Sequence, residues 1–263
     1  MSTDTVAGLY GLELLYPDRP TIDKAALLAG LRARLGSVDP LIGDSLVFVC
    51  HDFPVDLQDG VTTAMLLIGG ADEPFDQSTA KRALEQTWNW SAAGDALPRC
   101  RYSITLTDML ARPLEPQRRW KLVRDGLAAL IDVAPPAAIH WTPAQKLVDP
   151  EIDLDDPLLP INARLYRVDG RARGECVMDT RGLHLFGLDD LQCHFVGLEP
   201  DEVAAYLLDI SAYLLEHGPV IEHGQTVAGV GPDEHWTCAR EEALVGPARP
   251  VLAIHPSPRY AAR

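Results

Sequence analysis

The stretch that decides the fold of the C-terminal half is Asp179-Thr-Arg-Gly-Leu-His-Leu-Phe-Gly-Leu-Asp-Asp-Leu-Gln-Cys-His-Phe195. Its two apolar runs, residues 183–186 and 191–196, have the composition of strands and flank a Gly-Leu-Asp-Asp turn. The pattern therefore predicts a β-hairpin. The same stretch contains two histidines, a cysteine and three carboxylates, so it is also where we first look for a functional site.

Side-chain alternation limits what this hairpin can do. Cys193 and His194 point to opposite faces of a strand, so they cannot form a Cys–His catalytic pair. His184 lies opposite Cys193 if the turn has two or four residues, and opposite His194 if it has three. Either pair supplies two ligands where zinc needs three or four, so we expect no metal and no cofactor.

The acidic turn of the hairpin has two interpretations. Asp189 and Asp190 are typical turn residues, because an aspartate side chain bonds its own backbone there. They also fit an exposed acidic tip that pairs with Arg or Lys of a partner. With the neighbouring polar residues, the candidate binding residues are Asp179, Arg181, His184, Asp189, Asp190, His194 and His223.

Hydrophobic periodicity predicts an α+β fold with two sheet-plus-helix halves, in which mostly antiparallel strands have helices covering one face. The halves are residues 1–147 and 161–263. Residues 148–160 are rich in acid and proline and are assigned as a connector. The alternative is one continuous domain with this segment as a surface loop.

Individual elements follow from local signals. Thr21 is expected to cap a helix that ends at Gly36, and Asp76 a helix that carries Trp88. Further helices are expected near Pro116 and after Glu199. Strands are expected at residues 9–16, 46–50, 61–68, 101–107, 137–141, 163–168, 175–178, 220–227, 235–240 and 250–255.

Charge restricts the class of partner. The 263 residues include 38 acidic and 23 basic side chains, for a formal net charge of −15. Nucleic acid and anionic membranes need a positive face and are not expected as partners, whereas a basic protein would be attracted. Solubility alone is the other explanation of the charge. The five cysteines show no Cys-x-x-Cys spacing, and neither a secretory signal nor an apolar membrane span is visible, which favours the cytoplasm.

A family resemblance adds to these observations. The segment from Gly182 to Phe195 resembles the bacterial family called domain of unknown function 4261. So do Tyr213-Leu-Leu-Glu-His-Gly, Glu222-His-Gly-Gln-Thr226 and Pro247-Ala-Arg-Pro-Val251. The family name carries no activity, but some such proteins resemble immunity proteins that neutralise toxins in interbacterial competition. The resemblance therefore suggests a toxin as the binding partner, and the acidic charge of the chain makes a basic toxin the expected one.

Three functional hypotheses remain at this stage. The first is a non-enzymatic cytoplasmic binding protein, with an immunity protein as its specific form. The second is a hydrolase-like enzyme that uses His184, His194 and Asp179 in a cleft of the C-terminal half. The third is a structural subunit of a bacterial assembly. Convergence of those three side chains would favour the enzyme, and their separation would favour binding.

Overall fold

The structure is a computed structural model that describes residues 10–43, 45–70, 74–168, 174–231 and 233–262. The chain divides into two compact units, residues 1–154 and 155–263. Each unit contains one sheet, and the strands of both sheets are mostly antiparallel, so the predicted α+β class is confirmed. Across the described ranges, no helix combines the length and apolar character needed to cross a bilayer.

The first unit is built on a seven-stranded antiparallel sheet in the order β2-β3-β4-β5-β1-β6-β7. Its strands are β1 (Gly11–Tyr16), β2 (Val38–Pro40), β3 (Val47–Leu57), β4 (Gly60–Gly69), β5 (Tyr102–Met109), β6 (Ala138–Trp141) and β7 (Lys146–Val148). Alternation in β1 buries Leu12 and Leu14 on one face, as the sequence pattern predicts. Leu9, which was included in the predicted first strand, lies outside the described residues.

Two long helices of the first unit pack together. Helix α1 (Lys24–Leu35) begins at Asp23, whose carboxylate accepts hydrogen bonds from the backbone N–H groups of Ala25 and Ala26, and it ends at Gly36. Asp23 therefore takes the capping position that the sequence assigned to Thr21. The second long helix is α4 (Pro116–Val133). Two short helices, α2 (Lys81–Glu85) and α3 (Ala93–Ala96), lie between α1 and α4 in the chain.

Helix α4 is tied to the sheet by a buried ion pair. The Arg119 guanidinium donates to both oxygens of Asp108, with Nε 2.5 Å from Oδ2. Asp108 also accepts from the backbone N–H of Tyr10 at 2.8 Å. On the other side of β1, Leu15 packs with Ala83 and Leu97 of the segment that carries α2 and α3. That segment breaks into short helices, so the predicted helix does not extend to Trp88.

The second unit contains a six-stranded sheet in the order β11-β12-β13-β10-β9-β8. Its strands are β8 (Asn162–Arg167), β9 (Cys176–Arg181), β10 (Asp190–Phe195), β11 (Thr226–Ala228), β12 (His235–Glu242) and β13 (Pro250–His255). The β10–β13 pair is parallel and the other pairs are antiparallel. The strand predicted to begin at Val220 begins only at Thr226.

Helix α5 (Pro200–His217) packs on β8, β9 and β10 through Val203, Leu207, Ser211 and Leu214. These four positions recur at helical spacing, which is why the sequence predicts the helix. Gly218 ends it with a positive φ of 79°, and its N–H donates to Leu214 O.

The quoted stretch is not the predicted hairpin. Residues Leu183–Phe186 form a 3₁₀ turn, and β10 pairs with β9 instead. Cys193 lies opposite Met178, and His194 opposite Val177. Both proposed partners of His184 were therefore wrong. A short apolar run such as Leu-His-Leu-Phe is compatible with either a strand or a buried turn. Here Gly182 and Gly187, which lie on either side of the run, adopt positive φ values. They interrupt the extended backbone, so the run forms a turn.

Candidate functional site

One face of the second sheet carries buried polar side chains. The register pairs Arg164 of β8 with Asp179 of β9, and Asp179 with Gln192 of β10, so all three share a face. Each is at most 1% exposed. The opposite face carries Cys193 and, by the strand register, Trp236 of β12, whose ring centroid lies 5.0 Å from that of Tyr206 in α5. The polar face therefore lies on the side of the sheet away from α5, where packing of the helix does not require charged residues.

Five side chains on this face form what we call the arginine–aspartate cluster: Arg164, Asp179, Arg181, Asp190 and Arg249. Asp179 is fully buried and accepts from two arginines. Arg164 donates from Nε to Oδ1 at 2.9 Å and from Nη2 to Oδ2 at 2.5 Å, and Arg249 Nη2 donates to Oδ2 at 2.6 Å. Such a two-pronged pair is the strong form of a guanidinium–carboxylate contact.

Asp190 is the second anion of the cluster. Its side chain is fully buried, accepting from the Leu183 backbone N–H at Oδ1 and from Arg249 Nε at Oδ2, both at 3.0 Å. The interpretation of Asp190 as part of an exposed acidic tip was therefore wrong. Asp190 begins β10, and its hydrogen bond with Leu183 holds the 3₁₀ turn against the sheet. The local Asp-Asp sequence does not predict these distant contacts.

Arg181 differs from the other two arginines. Its side chain lies within the sheet face with 7% of the residue exposed, and no described group accepts a hydrogen bond from its Nε. Burial lowers its pKa to about 10, and the attraction of Asp190 only partly offsets that effect. The guanidinium still carries its charge at neutral pH.

The three candidate catalytic side chains have three different sets of partners. Asp179 is bound to Arg164 and Arg249. His184 Nδ1 lies 3.3 Å from Asp190 Oδ2, and His194 Nε2 lies 2.9 Å from Glu175 Oε1. Asp179 and His194 share one sheet face, whereas His184 lies in the 3₁₀ turn, and the three side chains do not converge on a common point. Burial also raises the pKa of the Cys193 thiol to about 12, so this cysteine is no nucleophile at neutral pH.

The remaining candidates lie outside the cluster. Asp189 forms an ion pair with Arg240 Nε at 3.1 Å, and His223 Nδ1 accepts from the Arg240 backbone N–H at 3.2 Å. Both therefore lie beside β12. Within the described ranges, no group of three or more His, Cys, Asp or Glu side chains is placed to hold a metal ion.

The sequence pointed to Asp179, Arg181, His184 and Asp190 but not to the arginines that bind them. Arg164 could have been predicted as a partner of Asp179. It is an arginine inside the apolar strand β8, and it lies directly across from Asp179 once the predicted strand 175–178 is extended to Arg181. Arg249 lies in the family-like segment Pro247-Ala-Arg-Pro-Val251, but its partners could not be predicted. It is 59 residues from Asp190 and 70 from Asp179, and no local pattern joins them.

Chemically, the cluster is suited to holding groups in place. Guanidinium groups do not act as acids or bases near neutral pH, and both carboxylates already accept hydrogen bonds from arginines. Burial alone would raise the pKa of Asp190, but the hydrogen bond with His184 and the charges of His184, Arg249 and Arg181 lower it below its usual 3.8. A carboxylate with a depressed pKa is a poor general base at neutral pH.

The depressed pKa predicts acid sensitivity. Asp190 contributes stability that is fully present above the pKa of an unfolded aspartate and is lost as the pH falls through the lower folded pKa. The difference in free energy of unfolding between wild type and Asp190→Asn should thus be constant from about pH 7 to 5 and shrink below about pH 4. Denaturant titrations at several pH values measure it. A difference that grows on acidification would contradict the assignment.

Comparison with known families assigns the part of the chain that holds most of the cluster. Residues 179–255 match the model of the family described as Domain of unknown function (DUF4261). The match runs from β9 to β13 and includes every cluster residue except Arg164. No curated protein and no solved structure matches the chain.

Proposed function

We propose that this protein acts in the cytoplasm by binding a basic protein partner without catalysis, and that the partner is a bacterial toxin which it neutralises. The observation that carries the proposal is the solvent face of α5. Between Pro200 and His217 the helix contains four carboxylates and neither lysine nor arginine. The five free, buried cysteines also suit a reducing compartment.

The carboxylates of α5 lie on one side of the helix. Asp201, Asp209, Tyr213 and Glu216 are spaced by eight, four and three residues, so they follow one stripe, with Glu202 beside it. We call these five residues the acidic stripe. All are exposed. At a rise of 1.5 Å per residue the stripe is about 22 Å long, which suits a protein–protein contact of ordinary size.

Folding does not account for two of these carboxylates. Asp201 and Glu202 stabilise the positive N-terminus of the helix, but Asp209 lies mid-helix, where aspartate is a weak helix former. Glu216 lies in the last turn, where the helix dipole disfavours a negative charge. Within the described part of the chain, neither forms an ion pair with lysine or arginine. Their presence at a local cost supports a role in binding.

Tyr213 gives the stripe an apolar centre. Its side chain is 48% exposed, and its ring stacks on His217 with centroids 4.3 Å apart and planes at 23°. His217 Nδ1 lies 3.0 Å from Tyr213 O, which fixes the imidazole in place. A tyrosine ordered before binding loses little conformational entropy on contact, and tyrosine is enriched among residues that dominate interface energies.

The separate partners of Asp179, His184 and His194 also support binding over the hydrolase hypothesis. A hydrolytic site needs a nucleophile or activated water, a base and an orienting group within hydrogen-bond reach of one another. His184 and Asp190 make one histidine–carboxylate pair, but His194 and Glu175 form another, on a different edge of the polar face. His184 Nδ1 lies 3.3 Å from Asp190 Oδ2 and His194 Nε2 lies 2.9 Å from Glu175 Oε1, so the two histidines are held by different carboxylates.

Charge reversal on the stripe should abolish partner binding without unfolding the protein. We expect Asp209→Lys plus Glu216→Lys to weaken the complex with a basic toxin at least about tenfold, equivalent to about 1.4 kcal/mol. Helix stability should not fall, because lysine is a better helix former than aspartate and suits a helix C-terminus. Calorimetric titration and thermal unfolding measure the two effects.

A matched variant controls for overall charge. Glu85→Lys plus Glu151→Lys changes the net charge equally at two exposed positions of the first unit. It should slow association slightly through the long-range field and leave the dissociation rate unchanged. Equal weakening by both variants would show that α5 is not the contact surface and would leave only general electrostatic attraction.

The toxin assignment has its own test in the neighbouring genes. A basic product of an adjacent gene should arrest growth when expressed alone and be tolerated when this protein is co-expressed. The stripe variant should lose that protection, and the Glu85 and Glu151 variant should keep it. Consistent absence of a toxin or secretion gene near this one across related genomes would overturn the immunity proposal.

A further inference from the structure

The arginine–aspartate cluster holds more positive than negative charge. Its three guanidinium groups face two carboxylates, and the side chains range from 0 to 11% exposed for Arg164, Asp179, Asp190 and Arg249. Ions taken out of water need partners, since the desolvation of each costs several kcal/mol if it is unpaired. Among the contacts described, Arg164 and Arg249 bind the Asp179 carboxylate and Arg249 also binds Asp190, whereas Arg181 forms no direct ion pair.

Arg181 is the guanidinium of the cluster that lacks a direct acceptor at Nε. Both oxygens of Asp179 are occupied by Arg164 and Arg249. Asp190 gives one oxygen to the Leu183 N–H and the other to Arg249 and His184. Arg181 attracts Asp190 through space, but its Nε is buried and has no acceptor within the described residues. A buried N–H of a charged group without an acceptor is uncommon in folded proteins and marks a place for a ligand or an ordered water.

The cluster reaches solvent through His184. This side chain is 39% exposed, whereas the Asp190 carboxylate that it contacts is fully buried. His184 belongs to the 3₁₀ turn Leu183–Phe186. Gly182 joins Arg181 to this turn and has a φ of 123°, which only glycine adopts easily. The turn thus places an exposed imidazole at the edge of a buried, positively charged group.

We propose that Arg181 is the anchor of a binding site for a carboxylate group, which enters beside His184 and accepts a hydrogen bond from Nε. A carboxylate supplies the missing acceptor and a charge opposite to that of Arg181, and its geometry matches the flat guanidinium. The carboxylate belongs either to a small organic acid or to the C-terminus of a peptide. This site lies on the polar face of the sheet and does not depend on the proposed contact through α5.

The direct test follows the Nε–H signal of Arg181 by nitrogen-15 NMR on the wild-type protein. Sodium acetate is titrated at constant ionic strength against sodium chloride. The resonance that disappears in Arg181→Lys should shift in a saturable way, with half-saturation at about 1–10 mM. Arg119 is the internal control, because it is buried and its Nε already donates to Asp108. Its resonance should not move.

A second measurement compares thermal stability. Acetate at about ten times its dissociation constant should raise the melting temperature of the wild type by about 2–4 °C relative to chloride. Arg181→Met keeps an unbranched side chain of similar length without the charge, so its melting temperature should be the same in both salts. A shift that persists in Arg181→Met would place the anion elsewhere and overturn the proposal.

The two sources of the carboxylate are separated by a short peptide with a free or an amidated C-terminus. Tighter binding of the free peptide than of acetate, lost on amidation, identifies a peptide terminus. Equal binding of acetate and the free peptide identifies a small acid. If neither acetate nor either peptide shifts the Arg181 signal, ordered water satisfies Nε and the proposed site does not exist.

Discussion

Replacing Asp179 by asparagine should destabilise the second unit by about 3–5 kcal/mol. The substitution keeps the shape of the side chain but leaves Arg164 and Arg249 buried without the carboxylate that both bind. Burying a charge whose partner has been removed is among the most destabilising single changes in proteins. Hydrogen exchange of the β8, β9 and β10 amides measures the effect for this unit alone.

The control for this prediction is Asp189→Asn. Asp189 is also an aspartate paired with an arginine, but its side chain and that of Arg240 are 31% and 60% exposed. An exposed ion pair contributes about 0–1 kcal/mol, so this variant should be nearly as stable as the wild type. If the two substitutions have equal effects, the burial of the cluster is not what makes Asp179 important.

Rescue provides a further check on the mechanism. Adding Arg164→Met to Asp179→Asn removes one of the two arginines that donate to the Asp179 carboxylate. The double variant should be more stable than the sum of the two single effects predicts, with a coupling energy of about 1–3 kcal/mol. Strict additivity would mean that the two residues do not act as a pair.

The long elements of the fold could be predicted from the sequence because their signals are local. In α5, the buried positions Val203, Leu207 and Leu214 recur at helical spacing between Pro200 and Gly218, so pattern and boundaries agree. In β13, an unbroken apolar run gives the strand directly. Neither element depends on a residue far away in the chain.

The site was predicted only in part because its partners are distant. Asp190 follows Gly187 and another aspartate, which is the local pattern of a turn, and only Arg249 and the Leu183 N–H make it a buried anion. The acidic stripe was overlooked for a different reason. Its carboxylates are ordinary surface residues in the sequence, and they gain meaning only when the helix faces and the missing ion pairs are known.

The second large effect should come from Gly182, at the bend between β9 and the 3₁₀ turn. Its φ of 123° is disfavoured for any residue with a Cβ. A Cβ there would clash with Pro160 O and lie 3.0 Å from the carbonyl carbon and 3.1 Å from Ile161 Cδ1. Because the first obstacle is backbone, it cannot rotate away as a side chain could.

Gly182→Ala should therefore destabilise the second unit by about 3 kcal/mol or more, from backbone strain and overpacking together. Gly187→Ala is the matched control. It lies at the other end of the same turn with a φ of 72°, and a Cβ there meets nothing within 4 Å, so it should cost only about 1 kcal/mol. The difference in exchange of the β9 and β10 amides between the two variants isolates the contact with Pro160. Equal losses of stability in the two variants would mean that the turn can move away from residues 160 and 161 at little cost. Asp190 would then be positioned by its ion pair with Arg249 rather than by this bend.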